Sequence, residues 1–80
     1  MTKKIYVEVN AHFDTHGTMM PRAVIWRDGR VFGIDRVMDI RRAASTKAGG
    51  VGQRYTCMVR GKRTYLWYED PRWFVEAIDT

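Results

Sequence analysis

Three groups of residues in this 80-residue chain have the types and spacing for chemistry. In His12-Phe13-Asp14-Thr15-His16 an extended chain would put His12, Asp14 and His16 on one side, and two imidazoles with a carboxylate form a divalent-metal ligand set. Any polar strand face produces the same pattern, and no second cluster supplies a fourth ligand. The segment reads as a solvated face, with no metal and no cofactor expected.

The second group is the loop Ser45-Thr46-Lys47-Ala48-Gly49-Gly50-Val51-Gly52, where backbone N–H groups between glycines can approach a phosphate. Lys47 precedes the glycines, which is the wrong order for a P-loop, and an ordinary hairpin connection is the better account of the composition. An anion contact through Lys47, Arg41 and Arg42 is the functional alternative. Cys57, the sole cysteine, sits between Tyr55 and Val59 on the apolar side of an alternating stretch, where a thiol is a small inert hydrophobe. No carboxylate pair, Ser-His-Asp set or cofactor fingerprint is present, so the chain is expected not to be an enzyme.

The third group is the most informative. Arg54-Tyr55-Thr56 lies opposite Arg63-Thr64-Tyr65-Leu66-Trp67-Tyr68 if the two segments form a hairpin. Aromatics at 65, 67 and 68 cannot all enter one small core, so at least one of Tyr65, Trp67 and Tyr68 should face outward among Arg54, Arg60, Lys62 and Arg63. Rings in a basic groove are how small barrels stack single-stranded bases. The plain alternative is that the outward ring covers a neighbouring strand or a second copy of the chain.

Charge is distributed in keeping with that reading. The net charge is +5, and the excess sits in the middle of the chain. Residues 22–63 carry eleven Arg and Lys residues against Asp28, Asp35 and Asp39. Arginine, the majority type, presents a planar fork suited to phosphate and to stacking. Such a balance favours acidic partners without naming one.

The elements that must position these groups are strands. One domain spanning residues 1–80 is all that this length allows, and ten aromatic side chains compensate for a small core. Ile5, Val7, Val9, Ala11 and Phe13 alternate with Tyr6, Glu8, Asn10, His12 and Asp14, the period of a half-buried strand. Residues 15–21 read as a connection, and Arg22–Trp26 as a second strand. Asp28-Gly29 between apolar runs predicts a tight hairpin in which both central residues take positive φ. Residues 35–44 are ambiguous. Val37, Ile40 and Ala44 have helical spacing, but a long bent strand with a bulge or sharp bend at Asp35-Arg36 also fits and is favoured, with a short helix as the alternative. Gln53–Val59 and Thr64–Tyr68 form a second hairpin through Arg60-Gly61-Lys62-Arg63, and Trp73-Phe74-Val75-Glu76 begins a last strand after Pro71. The expected fold is an all-β antiparallel meander of five to six strands, closing into a small SH3-like or OB-like barrel. The N-terminal Met1-Thr2-Lys3-Lys4 and the alternating run after it are too short and too polar for a signal peptide or membrane span, and a lone cysteine suits a reducing compartment. A cytoplasmic protein without membrane contact is expected.

The ordered run Trp26-Arg27-Asp28-Gly29-Arg30-Val31-Phe32, Ile34-Asp35-Arg36-Val37, Ala48-Gly49-Gly50, Arg54-Tyr55-Thr56-Cys57, Leu66-Trp67-Tyr68-Glu69 and Trp73-Phe74-Val75-Glu76 resembles a family of uncharacterised small bacterial β-barrel proteins. The likeness spans about residues 5 to 76. More loosely, the chain is similar to short proteins encoded beside Y-family translesion DNA polymerases. The resemblance implies an accessory of DNA repair and carries no catalytic residue with it. The expected function is weak binding of single-stranded DNA or RNA, with phosphates held by Arg41, Arg42, Lys47, Arg54, Arg60, Lys62 and Arg63 and bases stacked on Tyr65 or Trp67. The alternative is a protein-interaction module that docks a polymerase, another DNA-repair protein or a second copy of itself.

Overall fold

A computed structural model describes residues 2–44 and 51–78. They form seven strands and no helix: β1 (Thr2–Phe13), β2 (Met19–Ile25), β3 (Val31–Gly33), β4 (Arg36–Ala44), β5 (Val51–Val59), β6 (Lys62–Glu69) and β7 (Arg72–Ile78). The strands make one antiparallel sheet in the order β3-β2-β1-β7-β6-β5-β4. Its two edge strands are consecutive in sequence and joined only by Ile34-Asp35, so the sheet has to curl until its edges meet. The linker bonds to both sides, the Ile34 N–H donating to the Arg22 carbonyl of β2 and the Asp35 N–H to the Met58 carbonyl of β5, each at 2.8 Å. The result is a curled half-barrel.

Two irregularities help the strands bend. Asn10 pairs with Ala23 but Ala11 with Pro21, which leaves Arg22 as an extra residue on β2 and turns its carbonyl toward Ile34. On β4, Val37 pairs with Cys57 and Asp39 with Thr56, so Met38 is extra. β1 turns the corner by changing partners, pairing with β7 through Val7 and with β2 from Glu8 onward.

Tight turns connect the strands. Asp28-Gly29 does close a hairpin, but through a three-residue loop in which Gly29 alone takes positive φ, with the Gly29 N–H donating to the Trp26 carbonyl. Residues 14–18 repeat that geometry with Gly17 at the positive-φ position. The two-residue turn with both central φ positive lies instead between β5 and β6, at Arg60 (φ 51°) and Gly61 (φ 76°). A cis Asp70-Pro71 bond sits between β6 and β7.

Several sequence expectations are corrected. There are seven strands, not five to six, because residues 31–33 and 36–44 form separate strands and the connection expected at 15–21 yields its last three residues to β2, with Pro21 buried. Residues 36–44 are strand, the favoured of the two readings, and the helix alternative falls because pairing with β5 along the segment outweighs the helical spacing of Val37, Ile40 and Ala44. The bulge is at Met38, while before Arg36 the chain makes the sharp bend instead, leaving the strand at Ile34-Asp35. Ala11 and Phe13 are exposed, Phe13 at 71%, because β1 outruns β7.

One face of the sheet collects the core. Tyr55, Cys57 and Leu66 are each 1% exposed, and with Trp73 they are packed by Val7, Val9, Met19, Val24, Ile34, Val37, Ile40, Val59, Tyr68 and Val75. Side chains from both margins of the sheet reach one cluster, so this face is concave. The Trp73 ring lies between Tyr55, at 5.2 Å, and Tyr68, at 4.8 Å between ring centres. Fully burying side chains of this kind contributes about 1.5–3 kcal/mol each. Gly52 faces β6 so closely that a Cβ there would collide with the backbone carbonyl of Tyr68.

Candidate nucleic-acid interface

The convex face carries the residues of opposite parity, and the register aligns them in rows. One row crosses five strands as Tyr6, Phe74, Trp67, Arg54 and Arg41. A second runs Tyr65, Thr56, Asp39, and a third Arg63, Met58, Arg36. Directly opposed neighbours stand about 4.5–5.5 Å apart at Cβ, so side chains within a row touch, and diagonal neighbours in adjacent rows, about 7–8 Å apart, are within reach of long side chains and rings.

The two rings expected to face outward behave differently. Trp67 is only 4% exposed and lies stacked on Phe74, with centroids 5.7 Å apart and planes 5° from parallel. It offers no face to a base, and the expectation that it stacks is corrected accordingly. Tyr65 is 44% exposed, and the Arg54 guanidinium lies 4.8 Å from its ring centre. A cation against one face of a ring that remains open to solvent is the arrangement that holds a stacking platform in place.

Of the seven basic residues singled out in the sequence, three share this face: Arg41, Arg54 and Arg63. Arg41 is paired with Asp39, Nε to Oδ2 at 2.7 Å, while Arg36 joins the group through its register with Met58. The other four fall elsewhere. Arg42 pairs with Gln53 on the concave side and lines a depression with Tyr68 and Asp70. Lys62 pairs with Val59 at the rim of the core. Arg60 occupies the turn and reaches the Phe32 ring at 4.9 Å. Of the loop 45–52 expected to approach a phosphate, residues 45–50, Lys47 among them, lie outside the described residues, and Val51 and Gly52 belong to β5. Two buried donors, Arg54 Nε and Trp67 Nε1, have no hydrogen-bond partner, and they belong to directly opposed residues.

Beside the arginines lies a strip the sequence reading missed. Lys4 Nζ donates to Glu69 at 2.9 Å and sits 4.9 Å from the Phe74 ring centre. The Tyr6 hydroxyl donates to the other Glu69 oxygen at 3.1 Å, and Arg72 lies 4.0 Å from the Tyr6 ring centre. Hydrogen bonding to Lys4 holds the Glu69 carboxyl below the usual range, and the same contact raises Lys4. These groups cover Phe74. Their parity was visible in each strand, but only the pairing of β1 with β7 brings them together.

The His12, Asp14, His16 cluster is taken apart by its turn. The Asp14 carboxylate accepts from the N–H groups of His16 and Thr18, each at 2.9 Å, and the Thr18 contact is the main cause of its lowered pKa. Among the described residues no group of three His, Cys, Asp or Glu side chains is placed to hold a metal. Cys57 is buried, and burial pushes its thiol up to about 11. No helix among the described residues is long and apolar enough to cross a membrane. Compared with family models, curated proteins and solved structures, the chain matches none of them.

Proposed function

We propose that this protein is a small SH3-like or OB-like basic barrel that binds single-stranded nucleic acid weakly on the convex face of β4, β5 and β6, and acts by binding instead of catalysis. The observation that carries the reading is the open Tyr65 ring braced by Arg54 at 4.8 Å, with Arg36, Arg41 and Arg63 in the neighbouring rows. A base stacks on the free face of Tyr65, and its flanking phosphates meet the guanidinium groups. Such contacts follow the backbone and the π-face and carry little sequence preference. A cytoplasmic accessory role in DNA repair, which the family resemblance suggests, fits a weak and general grip on exposed single strands.

The test is equilibrium binding of a fluorescent oligo-dT across a salt series. If three to four arginines each neutralise a phosphate, log K falls against log salt with a slope of about −2 to −3, at roughly −0.7 per single-strand contact. Absence of binding at low salt, or affinity that ignores salt, removes the proposal. The alternative, a protein-docking module, rests on the exposure of Val31, at 59%, on the short edge strand β3. It predicts a stoichiometric protein partner whose capture is unaffected by nuclease.

A further inference from the structure

The mouth of the half-barrel, on the concave side away from Tyr65, contains a cavity of about 330 Å³. Its walls come from β2, β3, β5, β6 and β7, with Val24, Phe32, Val59, Leu66 and Val75 among them and Cys57 in the lining. Among the described residues, Arg30 and Thr64 are the only charged or hydroxyl-bearing side chains that line it. Water held there would find too few partners, and an aliphatic cavity of about 150 Å³ already accepts benzene. This one is about twice that size and lies in the range of small-molecule sites.

The rim is as specific as the lining. Two guanidinium groups bracket Phe32 at the mouth, Arg60 at 4.9 Å and Arg30 at 5.4 Å from the ring centre. Arg30 gives its Nε to Asp28 and makes no ion pair through its terminal nitrogens among the described residues, and Arg60 makes none there at all. An apolar enclosure with a cationic lip matches one class of molecule.

We propose that this cavity binds a small amphipathic anion, with an apolar chain or ring seated against Leu66, Val59 and Val75 and a single acidic group held by Arg60 and Arg30. The enclosure by strands from both ends of the sheet favours a small molecule over a flat protein surface. Charge-assisted bonds to two arginines supply the orientation. Arg60 thereby serves the cavity and not the convex face.

The experiment uses sodium octanoate with the full chain, followed by methyl NMR and by fluorescence, for which Trp26 in the cavity wall is a reporter. Saturable binding is expected, with contacts from octanoate methylenes to the Leu66 and Val59 methyl groups. Octanol and octyltrimethylammonium should bind at least about five-fold more weakly, and Arg60→Gln should weaken octanoate about five-fold while leaving octanol unchanged, the loss of one charge-assisted bond. Val24→Phe, which fills the cavity, should abolish binding. If that variant fails to fold, the methyl contacts in the parent chain decide the question alone. No saturation up to about 10 mM, a range that covers the weakest specific affinities, overturns the proposal. So does equal binding of the cationic and anionic chains. Tyr65→Ala should leave octanoate binding intact, and displacement of octanoate by oligo-dT would overturn the separateness of the two sites.

Discussion

The Tyr55 hydroxyl, from β5, donates a 2.7 Å hydrogen bond to the Met19 carbonyl of β2. These strands are not neighbours in the ladder, so the bond is a strut across the inside of the curl. Tyr55→Phe keeps the buried ring and removes the strut. The expected cost is about 1 kcal/mol, read as a lowered urea midpoint with an unchanged slope.

On the convex face, Tyr65→Ala should lower oligo-dT affinity by the value of one stacked base, about 1–3 kcal/mol. Tyr65→Phe should keep most of it, because the π-face and not the hydroxyl does the stacking. Thermal unfolding should shift little in either variant, since the ring is exposed. Affinity unchanged in Tyr65→Ala would show that this ring is no platform.

Gly52→Ala should be destabilising by about 1–3 kcal/mol, the usual cost of forcing extra volume into a packed site. The atom in the way is the Tyr68 backbone carbonyl, which cannot rotate aside. The denaturation midpoint checks it, and the neighbouring hairpin positions Gly29 and Gly61 have open space at Cβ, so there the cost would come from positive φ alone.

Cys57 should resist alkylation at mildly alkaline pH in the folded protein and react once urea unfolds it. Burial raises its pKa from 9.0 to about 11, so the folded state keeps the proton over a range where the unfolded state loses it. The sign follows from linkage: stability falls as pH rises from about 9 toward 11. Cys57→Ala should flatten part of that decline in urea titrations. Tyr55, raised by burial, Tyr68, raised by its hydrogen bond to Asp70, and Lys4, raised by its hydrogen bond to Glu69, add to the decline with the same sign.

At the acid end the direction reverses. Asp14, Asp28 and Glu69 are all lowered, by the Thr18 N–H, the Arg30 N–H and Lys4 respectively. Their contribution is complete above the ordinary carboxylate range and is lost as pH falls through their lowered folded values. Asp14→Asn keeps an acceptor oxygen for the turn, so it should remove part of the acid slope while leaving the fold intact at neutral pH. Circular dichroism through an acid titration measures both.

Alternation in the sequence was enough to place most strands, because a side-chain period of two is a local property that each stretch carries by itself. Val7-Val9 and Tyr55-Cys57-Val59 pack against the core or form it, and Asp28-Gly29 and Arg60-Gly61 both mark hairpins, although which of them takes the two-residue form was not legible. The same alternation says nothing about where parity slips. The extra residues at Arg22 and Met38 exist because distant strands must bend to bring Ile34-Asp35 across the seam.

What the sequence alone determined is a basic, aromatic-rich chain of antiparallel strands, since charge, ring content and period are properties of the residues themselves. Tertiary structure decided which of those residues meet. Trp67 is buried and Tyr65 exposed although both occupy the same face of β6, because Phe74 of β7 covers one and only Arg54 stands beside the other. Arg36, Arg41, Arg54 and Arg63 share a face while Arg42 and Lys62 turn to the other. Register between strands far apart in the chain is set by the packing of the whole sheet, which no local stretch contains.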